Sequence, residues 1–160
     1  MESRLILETS IPQEYQIIAK RVLPSAEGWL RQLYKLEPGF FKDLSIKLSC
    51  TLGRNWYFPD SQEALIRIAS TRLYLYDIVE ANKTTPPEGL PVGVGSYLMS
   101  MFIHEATHFI QQQKGRKYSE LETTVNQIDF IQSFDPINYA LLINAKGAKV
   151  VSGVGTEMFL

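Results

Sequence analysis

The sequence predicts an α+β fold in which helices flank a small mixed or antiparallel sheet. Three observations support this: helical apolar patterns within residues 13–36, an alternating apolar pattern over 46–52, and a long helical pattern over 96–113. Apolar residues every three or four positions are typical of a helix, and strict alternation is typical of a strand with one covered face. The 160 residues, 45% of them hydrophobic, suffice for a single domain over residues 1–160 with its own core.

Two helices are expected in the first 40 residues. The first covers residues 13–23 and stops at Pro24, because proline lacks the N–H of the helical hydrogen bond and its ring clashes with the preceding turn. The second covers residues 25–36 and ends at the Pro38-Gly39 pair, which is typical of a turn. Each carries an apolar stripe that indicates packing against a core.

Strands are expected in the middle of the chain, within residues 1–95. Residues 46–52 and 64–68 alternate between apolar and polar side chains, which predicts two strands. The intervening residues 54–61 are expected to form a turn. Residues 73–78 fit either a strand or the start of a helix, and the residues that follow, 82–95, are rich in Pro and Gly and predict a loop.

The C-terminal part, residues 96–160, is expected to be mainly helical. A helix of about five turns over 96–113 ends near Gly115, and another begins at Ser119 and ends at Asp135-Pro136. The apolar side chains expected to be buried are Leu98, Phe102, Ala106 and Phe109 in the first of these helices, and Leu121, Val125, Ile128 and Ile131 in the second.

Composition and charge narrow the possible classes of function. A formal net charge of -1 leaves no basic surplus to bind a phosphate backbone, so nucleic acid is not an expected partner. The only cysteine, Cys50, cannot form an internal disulfide, which favours a reducing compartment. The N-terminus lacks the pattern of a signal peptide, and no apolar stretch is long enough to span a bilayer. We therefore expect a cytoplasmic protein that does not bind membranes.

The strongest functional signal is the HExxH segment His104-Glu105-Ala106-Thr107-His108. Histidines four residues apart project from the same face of a helix, so His104 and His108 can bind one zinc ion. Glu105 can accept the proton of a water molecule on that ion, which predicts metal-assisted amide hydrolysis. These are the only two histidines of the chain, and chance would produce the pattern about once in a thousand such sequences.

The third zinc ligand is expected to be a carboxylate, because no histidine remains. Glu120 and Glu122 lie on either side of the apolar stripe of the next predicted helix, so periodicity alone leaves both open. Each also has a purely structural interpretation. Ser119 and Glu122 fit a capping box, and Glu120 fits a first-turn carboxylate that the helix dipole favours.

The order HExxH, then Glu122, then Asn126 four residues later resembles the gluzincin peptidases of the zincin superfamily. The segment 108–112, HFIQQ, resembles the HxxQQ continuation of uncharacterised bacterial HExxH domains. This resemblance covers residues 96–129 and implies a zincin-like fold with a Zn2+ cofactor, and a hydrogen bond that lets Asn126 orient a ligand histidine. The site residues it implies are the ligands His104, His108 and Glu122 and the catalytic residue Glu105.

The resemblance leaves other parts of the site open. No third histidine exists to stabilise an oxyanion, and the candidates for that role are Tyr57, Arg116, Tyr118 and Tyr139. The resemblance also implies that an edge strand, here residues 64–69, binds the peptide through backbone hydrogen bonds. The aromatic segment 56–58 fits either a specificity pocket or internal packing.

We therefore expect a zinc metalloendopeptidase that acts on a peptide or protein substrate. The alternative is a non-catalytic or autoinhibited zinc-binding protein, in which the Gly-rich residues 146–160 occupy the open metal position. An interaction module in which the HExxH pattern is accidental is a third interpretation. Zinc content distinguishes the third interpretation from the first two, and peptide cleavage distinguishes the first from the second.

Overall fold

A computed structural model describes residues 1–51, 54–67 and 90–134, the last range with side chains from Gly95 onward. Its first helix, α1 (Gln13–Tyr34), continues through Pro24, so the predicted division into two helices is wrong. Pro24 is exposed, as is Lys20, whose carbonyl loses its helical partner, and water can hydrogen-bond that carbonyl. The buried stripe of α1 continues across the proline at spacings of four, three and four residues, through Ala19, Leu23, Ala26 and Leu30.

Replacing Pro24 by Ala is expected to stabilise the protein by about 2 kcal/mol. Proline inside a helix costs roughly 3 kcal/mol relative to alanine, and its stiffening of the unfolded chain offsets up to about 1 kcal/mol of that. Urea denaturation followed by circular dichroism measures the change. The neighbouring exposed substitution Ser25→Ala is the control and should stay within about 0.5 kcal/mol. A Pro24→Ala protein no more stable than the wild type would contradict this account of α1.

Within the described residues, four strands form one mixed sheet: β1 (Arg4–Leu7), β2 (Ser45–Ser49), β3 (Trp56–Phe58) and β4 (Glu63–Arg67). Their order is β1-β2-β4-β3, with β2 parallel to both β1 and β4, and β3 antiparallel to β4. The predicted strands 46–52 and 64–68 correspond to β2 and β4. The α+β class and the mixed sheet are thus confirmed for the described residues.

Two features of the sheet differ from expectation. The predicted turn 54–61 contains β3, which pairs with β4 through a tight connection in which Gln62 has a φ of 51°. All three β3 residues are aromatic. Because apolar and polar residues do not alternate there, the sequence pattern did not indicate a strand. β4 lies between β2 and β3, so the prediction that residues 64–69 form an edge strand is wrong over the described part; the edges there are β1 and β3.

Helix α2 (Leu90–Gln113) is the central element of the described structure. It begins six residues before the predicted start, so the predicted loop is wrong from residue 90 onward. Every residue from 95 to 111 is buried, because α2 packs against α1, the β3 and β4 strands and the following helix. The predicted stripe of Leu98, Phe102, Ala106 and Phe109 is fully buried, and the helix ends as expected before Gly115, whose φ is 62°.

Helix α3 (Glu120–Phe134) begins after Ser119, as predicted, but buries a different face. Leu121 is 69% exposed and Val125 is 45% exposed, so the predicted apolar stripe is wrong for its first half, while Ile131 is buried. The buried face is largely polar, because it packs on the part of α2 that carries the HExxH residues. Its members are Thr123, Thr124, Asn126, Gln127, Phe130 and Ile131.

Several sequence predictions lie outside the described residues. They concern 73–78, the loop up to residue 89, the segment 137–145, the tail 146–160 and Tyr139. Cys50 is free and partly buried. Among the described helices, none has the length and apolar character to cross a bilayer.

Candidate metal centre

Helix α2 carries His104 and His108 on one face, one turn apart. The centroids of the two imidazole rings are 5.2 Å apart and the ring planes are nearly perpendicular, at 76°. Both residues are buried, with 1% and 4% of their surface exposed. The helix backbone therefore fixes two ring nitrogens close together, as the four-residue spacing predicts.

Glu105 lies beside the two histidines. His104, Glu105 and His108 each offer one potential ligand atom, and these three atoms lie within 4.8 Å of one another. Such a group could hold a metal ion. Glu105 is 3% exposed. Burial raises the pKa of its carboxyl well above the ordinary value, and the negative charge of Glu120 raises it further.

The carboxylate that faces both histidines belongs to Glu120. Its Oε2 lies 3.0 Å from His104 Nε2, and its Oε1 lies 3.1 Å from His108 Nε2. The Tyr118 hydroxyl donates a hydrogen bond to the same carboxylate. Hydrogen bonds with the two histidines hold the pKa of Glu120 well below its ordinary value. Glu120 stands on the first turn of α3, so the packing of α3 on α2 brings these three side chains together.

The other ring nitrogens contact amide oxygens. His104 Nδ1 lies 2.6 Å from Gln127 Oε1, and His108 Nδ1 lies 3.0 Å from Gln111 Oε1. The backbone of Ser119 fixes the orientation of the Gln111 amide, because Gln111 Nε2 donates to the Ser119 carbonyl and Gln111 Oε1 accepts from the Ser119 N–H. An amide oxygen only accepts, so Nδ1 of His108 must carry the ring hydrogen. In a neutral ring, Nε2 is then an acceptor aimed at Glu120.

Glu122 does not face the histidines. Its Oε1 accepts a hydrogen bond from Gln111 Nε2 at 2.8 Å, and its Oε2 accepts one from the Tyr34 hydroxyl at 2.9 Å and pairs with Arg116 at 2.6 Å. Its backbone N–H donates to Ser119 Oγ, which is half of the predicted capping box. The structure thus brings Glu120, and not the expected Glu122, to His104 and His108. The resemblance in spacing favoured Glu122, which lies on a different face of α3 from Glu120.

Asn126 is also placed differently from the expectation. Its amide nitrogen donates to the Tyr34 hydroxyl at 2.7 Å and to Thr107 Oγ1 at 3.1 Å. The hydrogen bond to a histidine comes from the adjacent residue, Gln127. Asn126 therefore joins α1, α2 and α3 to one another, whereas Gln127 contacts His104.

Of the three oxyanion candidates that the structure describes, Tyr118 contacts the histidine face. Its ring stacks on His108 with centroids 4.2 Å apart and planes at 1°. Arg116 instead pairs with Glu122 and lies over the Tyr34 ring. Tyr57 packs on Phe109, hydrogen-bonds Gln112, and burial raises its pKa to about 12. The aromatic segment 56–58 thus contributes one side chain to internal packing and leaves Trp56 and Phe58 partly exposed.

Sequence reasoning assigned no role to Gln111, Gln127 or Tyr34. Gln111 lies inside the HFIQQ segment, three residues after His108, where a side chain shares the face of the histidine. Gln127 lies seven residues after Glu120, which places both on one face of α3. Tyr34 is distant in sequence and carried no signal.

The donor set fits zinc. Imidazole nitrogens and a carboxylate oxygen are the ligands that a catalytic zinc site uses, with one position left for water. Two ligand atoms on a tetrahedral zinc stand about 3.3 Å apart when each bond is about 2.0 Å. One Glu120 oxygen lies 3.0 Å from His104 Nε2 and the other lies 3.1 Å from His108 Nε2, so each nitrogen–oxygen pair is close to that separation.

Comparison of the chain with protein-family models, with curated proteins and with solved structures gave no match. Any functional assignment therefore depends on the residues of this chain and on their contacts. The resemblance to gluzincins stays a prediction.

Proposed function

We propose that the chain is a zinc-dependent metallopeptidase that hydrolyses peptide or protein substrates, with His104, His108 and Glu120 as metal ligands and Glu105 as the catalytic residue. The observation that carries this proposal is the approach of Nε2 of both histidines to one carboxylate. In rings that carry a single hydrogen, on Nδ1, both Nε2 atoms are acceptors that face the Glu120 oxygens at hydrogen-bond distance, so that a proton or a metal ion must lie between each pair. A cation between them satisfies all of these acceptors at once.

Glu120 replaces Glu122 as the proposed third ligand for a physical reason. The oxygens of Glu122 already bind Arg116, Tyr34 and Gln111, and releasing them would break three polar contacts. Glu120 also accepts a hydrogen bond from Tyr118, but its two oxygens already face the two histidine nitrogens.

Each remaining group has a role that follows from its position. A bound zinc ion supplies a Lewis acid for the peptide carbonyl and lowers the pKa of water. The Glu105 carboxylate would accept a proton from the attacking water and deliver it to the nitrogen of the leaving amine as the C–N bond breaks. The Tyr118 hydroxyl donates its one hydrogen to Glu120, and by releasing that bond it would stabilise the negative charge that develops on the carbonyl oxygen.

The peptide would bind along β3 rather than β4. Among the described strands β3 is an edge, it packs near α2, and edge strands can bind an extended peptide through backbone hydrogen bonds. Trp56 and Phe58 are partly exposed on that edge and would contact substrate side chains.

Metal analysis with a peptide-cleavage assay tests the proposed function. We expect about one zinc per purified chain, and cleavage of a peptide library that stops with 1,10-phenanthroline and returns with added zinc. The non-chelating isomer 1,7-phenanthroline is the control and should not inhibit. Protein that holds no zinc would contradict the metal site, and zinc-loaded protein that cleaves nothing would favour a non-catalytic zinc protein.

A further inference from the structure

One amide side chain contacts three parts of the candidate site. Gln111 Oε1 lies 3.0 Å from His108 Nδ1 and accepts from the Ser119 N–H at 3.2 Å. Gln111 Nε2 donates to the Ser119 carbonyl at 3.0 Å and to Glu122 Oε1 at 2.8 Å. The residue is 2% exposed. Four hydrogen bonds satisfy this buried amide, and all of them reach either His108 or the start of α3.

We propose that Gln111 is a positioning residue that sets the ring orientation of His108 and, through Ser119 and Glu122, the place of Glu120 at the start of α3. This inference rests on the proposed metal site. Ser119 precedes Glu120 directly, so a displacement of the Ser119 backbone moves the Glu120 carboxylate relative to both histidines. One side chain on α2 thereby aligns a ligand of its own helix with a ligand of the next.

The neighbouring glutamines show that this role is specific to position 111. Gln112 lies on the sheet side of α2, where it binds the Tyr57 hydroxyl and donates to the Pro59 carbonyl. Gln113 is exposed. Gln127 contacts His104 Nδ1, and within the described part of the chain its amide nitrogen has no hydrogen-bond partner. Gln127 can therefore orient one histidine, whereas Gln111 can act on a histidine and on a carboxylate.

Zinc affinity is the first measurement, made by competition with a chromophoric chelator. Gln111→Leu is expected to weaken zinc binding by about 10- to 100-fold, the range seen when groups that support metal ligands are removed. Gln113→Leu is the matched control on the same helix and should leave the affinity unchanged. Gln127→Leu should weaken binding less than Gln111→Leu, because it acts on His104 alone.

Nuclear magnetic resonance of the zinc-loaded protein supplies a measurement that a purely structural role would not change. The chain has two histidines, so two slowly exchanging imidazole Nδ1–H signals are expected. Gln111→Leu should broaden or shift the His108 signal and leave the His104 signal in place. Gln111→Glu keeps an acceptor for His108 but cannot donate to Ser119 and faces Glu122, so it should retain the His108 signal while still weakening zinc binding.

A double-mutant cycle tests the link to Glu120. If Gln111 acts partly through Glu120, the effect of Gln111→Leu on zinc affinity should be smaller in a Glu120→Ala protein than in the wild type. Thermal melting without zinc checks that each variant is folded. If Gln111→Leu does not fold, Gln111→Glu replaces it in the cycle. Wild-type protein without zinc would contradict the metal site itself. Equal zinc binding in the wild type and the folded Gln111 variants would contradict the proposed role of Gln111 but not the metal site. Additive effects in the cycle would do the same.

Discussion

Replacing Glu105 by Gln is expected to lower kcat for peptide hydrolysis by about 10²- to 10⁴-fold, the range that a positioned acid–base group contributes. The substitution keeps the shape of the side chain and removes its capacity to accept a proton. Zinc content should not change, because Glu105 is not one of the proposed ligands. The zinc-free protein should be at least as stable as the wild type, since a buried carboxylate carries a desolvation cost that a neutral amide lessens.

Steady-state kinetics with a cleaved peptide, together with metal analysis of the same sample, tests this expectation. Glu37→Gln is a suitable control, because it makes the same chemical change at an exposed position. Glu105→Gln protein that keeps both its zinc and its full kcat would remove Glu105 from the mechanism. Loss of the zinc together with the activity would instead place Glu105 among the ligands.

The second large effect concerns the third ligand. Glu120→Ala is expected to weaken zinc binding by roughly 10²- to 10³-fold, because a four-ligand zinc site contributes about 10–16 kcal/mol, or about 3 kcal/mol for each ligand. Glu122→Ala, two residues away on the same helix, should weaken binding by less than about tenfold. The Glu122 carboxylate contacts Gln111 rather than the histidines themselves.

Each of the two alanine substitutions is the matched control for the other. Both remove a carboxylate from the first turn of α3, so a general effect on that helix would appear equally in the two proteins. Zinc affinities measured by chelator competition decide between them. A larger loss in Glu122→Ala than in Glu120→Ala would restore the original sequence prediction and contradict the proposed ligand set.

The histidine face could be predicted from sequence because helix geometry is local. A spacing of four residues brings His104 and His108 together regardless of the rest of the chain. The choice between Glu120 and Glu122 could not be predicted from sequence, because it depends on how α3 is rotated about its axis where it packs against α2. Apolar periodicity misled here, since Leu121 and Val125 face outward and the polar face of α3 packs on a polar part of α2.

The same contrast applies to the fold. The alternation of Ile46, Leu48 and their neighbours indicated β2, and the strand is where that pattern placed it. The helix boundary at Pro24 was predicted from a local rule, which tertiary packing overrode where the proline faces solvent. The four-residue β1 carried too short a pattern to be recognised, and it exists through parallel pairing with β2 across about 40 residues of chain.

The burial of residues 95–111 of α2 restricts how an ion at the proposed site could enter or leave. Both histidines belong to a helix that cannot open without exposing the hydrophobic core, whereas the Glu120 side chain is 49% exposed at the first turn of a helix. Helix ends fray at far lower free energy than buried helix centres. Exchange of the ion should therefore follow local opening of the α3 terminus, and its rate should respond to substitutions near Ser119 much more than to global stability.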